Sequence, residues 1–78
     1  MRQADGSIEM AGDVALPEAE GLLHLRDTGD FDTIGGLITA ELGRFPREGD
    51  QLEIGPYAVT VVSVTKKRIE TLRFARKE

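Results

Sequence analysis

The stretch DFDTIGGLITAELG, residues 30–43, decides how this chain folds. Ile34, Leu37, Ile38 and Leu42 recur at one-face helical spacing. Asp32 or Thr33 stands where an N-cap belongs, with a side-chain oxygen for the free N–H groups of the first turn. Gly43 stops the helix and Pro46 forbids its resumption. Inside this helix sit paired glycines, Gly35 and Gly36, each of which costs roughly 1 kcal/mol relative to alanine. Two such residues in one apolar helix need a compensating reason, and close backbone approach is the best one. The expectation is that a strand around Leu52–Ile54, or the long hairpin that follows it, lies against this turn.

Upstream of the helix, an Asp5-Gly6 turn leads into alternating Ile8 and Met10, a short strand ended by Gly12-Asp13. Pro17 suits the first turn of a second, short helix, and Glu18 and Glu20 complement its dipole. Ala19, Leu22, Leu23 and Leu25 are expected to face the core. Downstream, a Gly49-Asp50 turn opens a strand with Leu52 and Ile54 inward. Gly55-Pro56 then turns the chain into the longest strand, Tyr57 to Thr65, and Arg68 to Ala75 returns. A two-residue turn at 65–66 or 66–67 makes the hydrophobic face switch at about the same level in both strands. A long twisted hairpin covered on each face in turn would produce that switch, and so would a bulge. The predicted order is strand, helix, helix, three-stranded meander. This is an α+β fold with a small mixed or antiparallel sheet and two helices.

At 78 residues the chain is one domain with a thin core. No apolar run approaches the roughly 20 residues of a membrane-spanning helix, and no secretory leader is evident. There is no cysteine, which excludes disulfides, zinc–thiolate sites and cysteine nucleophiles together. The net charge of −4 is unevenly spread. Residues 1–43 hold nine acids and two bases, and residues 44–78 five acids and eight bases. Such halves mark either an interaction face or two solvated surfaces.

DGSIEMAG, then DFDTIGGLITAELGRFPREGDQLEIG, then a hairpin closing on RIETLRF together resemble the CorC/HlyC transporter-associated domain. The most specific part is Asp32-Thr33-Ile34-Gly35-Gly36, followed at family-like spacing by Gly43-Arg44 and Gly49-Asp50. Two positions depart from the family pattern: Thr65-Lys66 replaces a common Asp-Gly at the hairpin tip, and Pro17 a polar cap. The resemblance implies a fold grouped with FAD-binding domains of the PCMH type. It also implies a parent of the hemolysin-like, magnesium and cobalt efflux class, in which a membrane domain and a paired CBS module precede this one. On that reading residues 5–76 are the domain, residues 1–4 a flexible leader or expression remnant and 77–78 a tail. The fragment is then a soluble piece on the cytoplasmic face of the inner membrane, with the CBS pair and membrane domain as partners. A weak homodimer is expected, because a small sheet leaves open edges.

The residues themselves offer little catalysis. His24 is the lone histidine and reads as a partly exposed packing residue, and the sequence offers no recognisable catalytic base for Ser7 or Ser63. Asp27, Asp30 and Asp32 crowd one loop, a candidate site for Ca²⁺ or Mg²⁺, yet their spacing is not that of a calcium loop. The helix start could cradle a phosphate, but the aspartates around it repel one. Lys66-Lys67-Arg68, with Arg73, Arg76 and Lys77, forms a basic run suited to nucleic acid or anionic lipid. Phe31, Phe45, Tyr57 and Phe74 read as core rather than stacking platforms, so nucleic acid is disfavoured. Two functions are therefore in view: a non-catalytic accessory domain of an ion transporter that needs no cofactor, or a module binding FAD or an adenine nucleotide.

Overall fold

A computed structural model describes residues 6–26 and 28–77. The elements are β1 (Ile8–Met10), α1 (Leu16–Leu23), α2 (Ile34–Leu42), β2 (Gln51–Ile54), β3 (Tyr57–Val64) and β4 (Ile69–Arg76). The four strands form one antiparallel sheet in the order β1-β4-β3-β2. The predicted element order holds, and of mixed or antiparallel the sheet is antiparallel. Asp5, where the first turn was placed, lies outside the described residues.

One face of the sheet joins both helices in a single core, through Ile8 and Met10 of β1, Val59 and Val61 of β3 and Leu72 and Phe74 of β4. Helix α1 contributes Leu16, Ala19 and Leu23, one stripe at helical spacing. Leu22, expected inward, falls off that stripe and is 48% exposed. Helix α2 contributes Ile34, Leu37 and Ile38, while Leu42 is only partly covered. The opposite sheet face is polar. There Arg73 pairs with Glu9 at 2.7 Å and Lys77 with Glu53 at 3.0 Å.

His24 is not a packing residue. Helix α1 ends at Leu23, and His24 is its left-handed C-cap at φ 55°, exposed to solvent. The Leu25 N–H closes the end by donating to the Glu20 carbonyl at 2.9 Å. Across the core, the Tyr57 hydroxyl donates to the Leu23 carbonyl at 3.0 Å, tying β3 to the last turn of α1. Tyr57→Phe is expected to cost about 1–2 kcal/mol, because it strands that buried carbonyl. An unchanged urea midpoint would show that the carbonyl finds another partner.

The hairpin resolves both alternatives left open by its sequence. Val64 pairs with Ile69, which puts Lys66-Lys67 at the tip. Thr65 substitutes for the missing glycine: its Oγ1 accepts from the Lys67 and Arg68 N–H groups at 3.2 and 3.1 Å. The register shifts between Val61 and Ser63 and again between Ser63 and Val64. This irregularity, rather than coverage of both faces, produces the switch in pattern. It lets Val61 and Leu72, and then Ile69 and Val64, all turn toward the same core, leaving Val62 exposed.

Candidate functional site

The start of α2 is built by the β1–α1 connection. Residues 12–16 run antiparallel to residues 32–35, with an isolated bridge between Ala15 and Thr33. The Gly35 N–H donates to the Gly12 carbonyl at 2.8 Å and the Ile34 N–H to Val14 at 3.0 Å. Leu16 N–H donates back to the Asp32 carbonyl at 3.0 Å. Of the two cap candidates it is Thr33 that serves, its Oγ1 accepting from the Gly36 N–H at 3.1 Å. Asp32 lies outside the helix with its carboxylate exposed.

The paired glycines have different surroundings. A Cβ on Gly35 would stand 2.7 Å from the Gly12 carbonyl oxygen, closer than real side chains approach. A Cβ on Gly12 would in turn stand 2.6 Å from the Ile69 carbonyl oxygen and 2.7 Å from the Ile69 Cβ. Three backbones are therefore stacked at Ile69, Gly12 and Gly35. Close approach is the reason for Gly35, but its direct neighbour is Gly12, neither the Leu52–Ile54 strand nor the hairpin, whose Ile69 lies on the far side of Gly12. Gly36 has room: a Cβ there would meet Thr33 Oγ1 at 3.5 Å and Phe31 Cβ at 3.7 Å. Nothing in its surroundings demands a glycine.

This arrangement bears on ligands. The first-turn N–H groups of Ile34, Gly35 and Gly36, which would hold a phosphate, are all engaged within the protein. The turn therefore does not fit a dinucleotide. Of the three acids proposed for a cation, Asp30 and Asp32 are exposed and Asp27 lies outside the described residues. Among the described residues no three of His, Cys, Asp and Glu gather as a metal site.

Asp50 is held in a separate clasp that closes the loop between α2 and β2. The Arg44 guanidinium donates to its two carboxylate oxygens at 2.8 and 3.0 Å, and the Arg47 N–H donates at 2.7 Å. These bonds, the Arg44 fork first, lower the Asp50 pKa from 3.8 to about 2. A lowered folded-state pKa stabilises the fold above the unfolded value and is lost as pH falls through the folded one. Stability should therefore drop between about pH 4 and pH 2, and Asp50→Asn should remove that part of the profile. Urea midpoints of both proteins across this range test it; parallel profiles would show that the clasp is not formed in solution.

Above the start of α2 lies an open groove of about 190 Å³, lined by Asp13, Thr33, Thr39, Phe45, Lys67 and Arg68 among others. Phe45 is 44% exposed and Phe31 37%, so neither is the core residue expected. Pro46, fully buried, takes the inward place beside Phe45. Lys66, Lys67 and Arg68 are exposed and form no ion pair among the described residues.

The family profile of the CorC_HlyC transporter associated domain matches residues 1–78. The chain belongs to the CorC/HlyC transporter-associated domain family. It is 31% identical over 64 residues to the UPF0053 inner membrane protein YoaE of Escherichia coli K12, covering 82% of this chain but 12% of that one. Its fold is similar to the transporter associated domain CorC_HlyC from Nitrosomonas europaea, with TM-score 0.90 and 29% identity over 99% of this chain and 94% of the other. A CorC_HlyC domain from a Xylella fastidiosa hemolysin, solved in complex with Mg²⁺ and Mn²⁺, has TM-score 0.88 at 22% identity, over 100% of this chain and 96% of that one.

In this CorC/HlyC domain several of the positions that carry the sequence resemblance have local structural work. Thr33 caps α2, and Gly35 admits the Gly12 backbone. Gly43 and Gly49 take left-handed conformations at φ 76° and 91°. Asp50 holds the clasp. The groove rim at Phe45, Lys67 and Arg68 is not legible as a site in the sequence, because a basic run at a hairpin tip reads first as a solvated surface and Phe45 as core.

Proposed function

We propose that this domain is a non-catalytic accessory module that regulates a membrane ion transporter of the hemolysin-like, magnesium and cobalt efflux class. It acts by contact with its partner domains, the CBS pair and the membrane domain, on the cytoplasmic face of the inner membrane. Family membership supports this, as does a matched inner membrane relative about eight times longer than the region it shares with this chain. The observation that carries it is where the signature residues point. Thr33, Gly35 and Asp50 are engaged by other groups of the domain, and the exposed features left over are an open groove and a charged tip, which suit contact rather than chemistry.

No helix of the described residues is long and apolar enough to cross a membrane, so the domain would rely on its parent for anchorage. Removing it from the full-length parent should change Mg²⁺ or Co²⁺ flux severalfold while the membrane domain still inserts. Unchanged flux at every ion concentration would remove this reading. Divalent-cation binding is a second reading, favoured by the Mg²⁺ and Mn²⁺ complex of the Xylella domain. The loop at Asp27, Asp30 and Asp32 would be its site here.

A further inference from the structure

We propose that the hairpin tip, Lys66-Lys67-Arg68 with Phe45 beside it, docks on anionic phospholipid headgroups. This rests on the reading above that the domain is tethered to a membrane protein, and it names one surface that the tether brings into play. The three cations are consecutive, exposed and without ion pairs among the described residues. Their backbone is held by Thr65, so the side chains are presented to solvent rather than used by the fold. Phe45 shares the groove with Lys67 and Arg68, which sets an exposed aromatic ring next to the charge, the pairing suited to a bilayer interface. The chain as a whole is acidic, so an anionic bilayer would attract it only through a locally basic face.

Acids lie close by. Asp13 lines the groove, Glu70 follows the tip, and Glu48 faces the Val64 N–H at 3.5 Å. They temper the attraction without pairing with the tip. A lysine or arginine near an anionic surface is worth about fivefold in partitioning, so three give about a hundredfold at best. That is weak for a free domain. It suffices for one held at millimolar effective concentration by its own polypeptide.

The test uses the 78-residue chain, since the Nitrosomonas domain was solved as a chain containing little else. Cosedimentation is measured with phosphatidylcholine vesicles, with and without phosphatidylglycerol, at low and high salt. Binding is expected only with the anionic lipid and should weaken with salt. Replacing Lys66, Lys67 and Arg68 by Gln should lower it at least tenfold with melting unchanged. Replacing Arg26, Arg76 and Lys77 by Gln removes the same charge at the other end of the hairpin and should leave most of the binding. Phe45→Ala should give a further loss that salt does not mimic. Equal losses in the two triple variants would mean net charge alone acts, and would overturn the proposal. So would absence of binding by the unaltered chain, or binding by the tip to an acidic partner domain with no vesicle binding. None of these results touches the flux test, which judges the accessory role separately.

Discussion

Alanine at Gly12 is expected to destabilise the domain by about 3 kcal/mol, the upper end of what overpacking costs. The added methyl would meet both the carbonyl oxygen and the Cβ of Ile69, and neither is the far end of a flexible side chain. Gly35→Ala presses on the Gly12 carbonyl from the other side, at 2.7 Å. Its cost of about 1–3 kcal/mol is offset by roughly 1 kcal/mol of helix propensity. Gly36→Ala should be neutral or stabilising by up to about 1 kcal/mol, since its Cβ meets only ordinary contacts. Urea midpoints of the three variants should therefore rank Gly12 lowest, then Gly35, then Gly36 at or above the parent. If Gly35→Ala also rises, the backbones are not stacked as described.

Phe74→Ala should be the most damaging single truncation, at about 3–5 kcal/mol. The ring is fully buried and sits edge-on to Tyr57, with centroids 6.0 Å apart. Its residue pairs with Ile8 on one side and Val59 on the other, so it lies at the junction of three strands. A chain of this size has about 4–12 kcal/mol in total, so the loss is a large share of its stability. Circular dichroism melting would show a fall of at least about 12 °C. A smaller fall would mean that the core collapses around the gap.

Much of this fold was readable because its signals were local. The spacing of Ile34, Leu37 and Ile38, the stop at Gly43 and the alternation in Tyr57–Val61 all depend on neighbours in sequence. What escaped was decided by contacts across the chain. Leu22 lost its place because the sheet meets α1 along Leu16, Ala19 and Leu23. Phe45 was displaced by Pro46, which carries no pattern signal. The partner of Gly35 lies 23 residues upstream, and spacing cannot indicate a backbone that docks through a hydrogen bond at Gly12. The candidate surface was harder still. A run of Lys66-Lys67-Arg68 reads the same on a solvated turn and on a docking face until Phe45 is seen in the same groove.

The central claim is that this domain works through contacts and carries no ligand of its own. The most direct measurement is the melting temperature of the isolated chain with FAD, ATP, AMP, Mg²⁺ and Mn²⁺ added in turn. A ligand at a hundred times its dissociation constant would add about 2.7 kcal/mol. In a domain this small that raises the midpoint by roughly 10–20 °C. No shift with any of the five is expected. A rise of that size with any of the five would contradict the claim: with a nucleotide or flavin it would make this a ligand-binding module, and with Mg²⁺ or Mn²⁺ a cation-binding one.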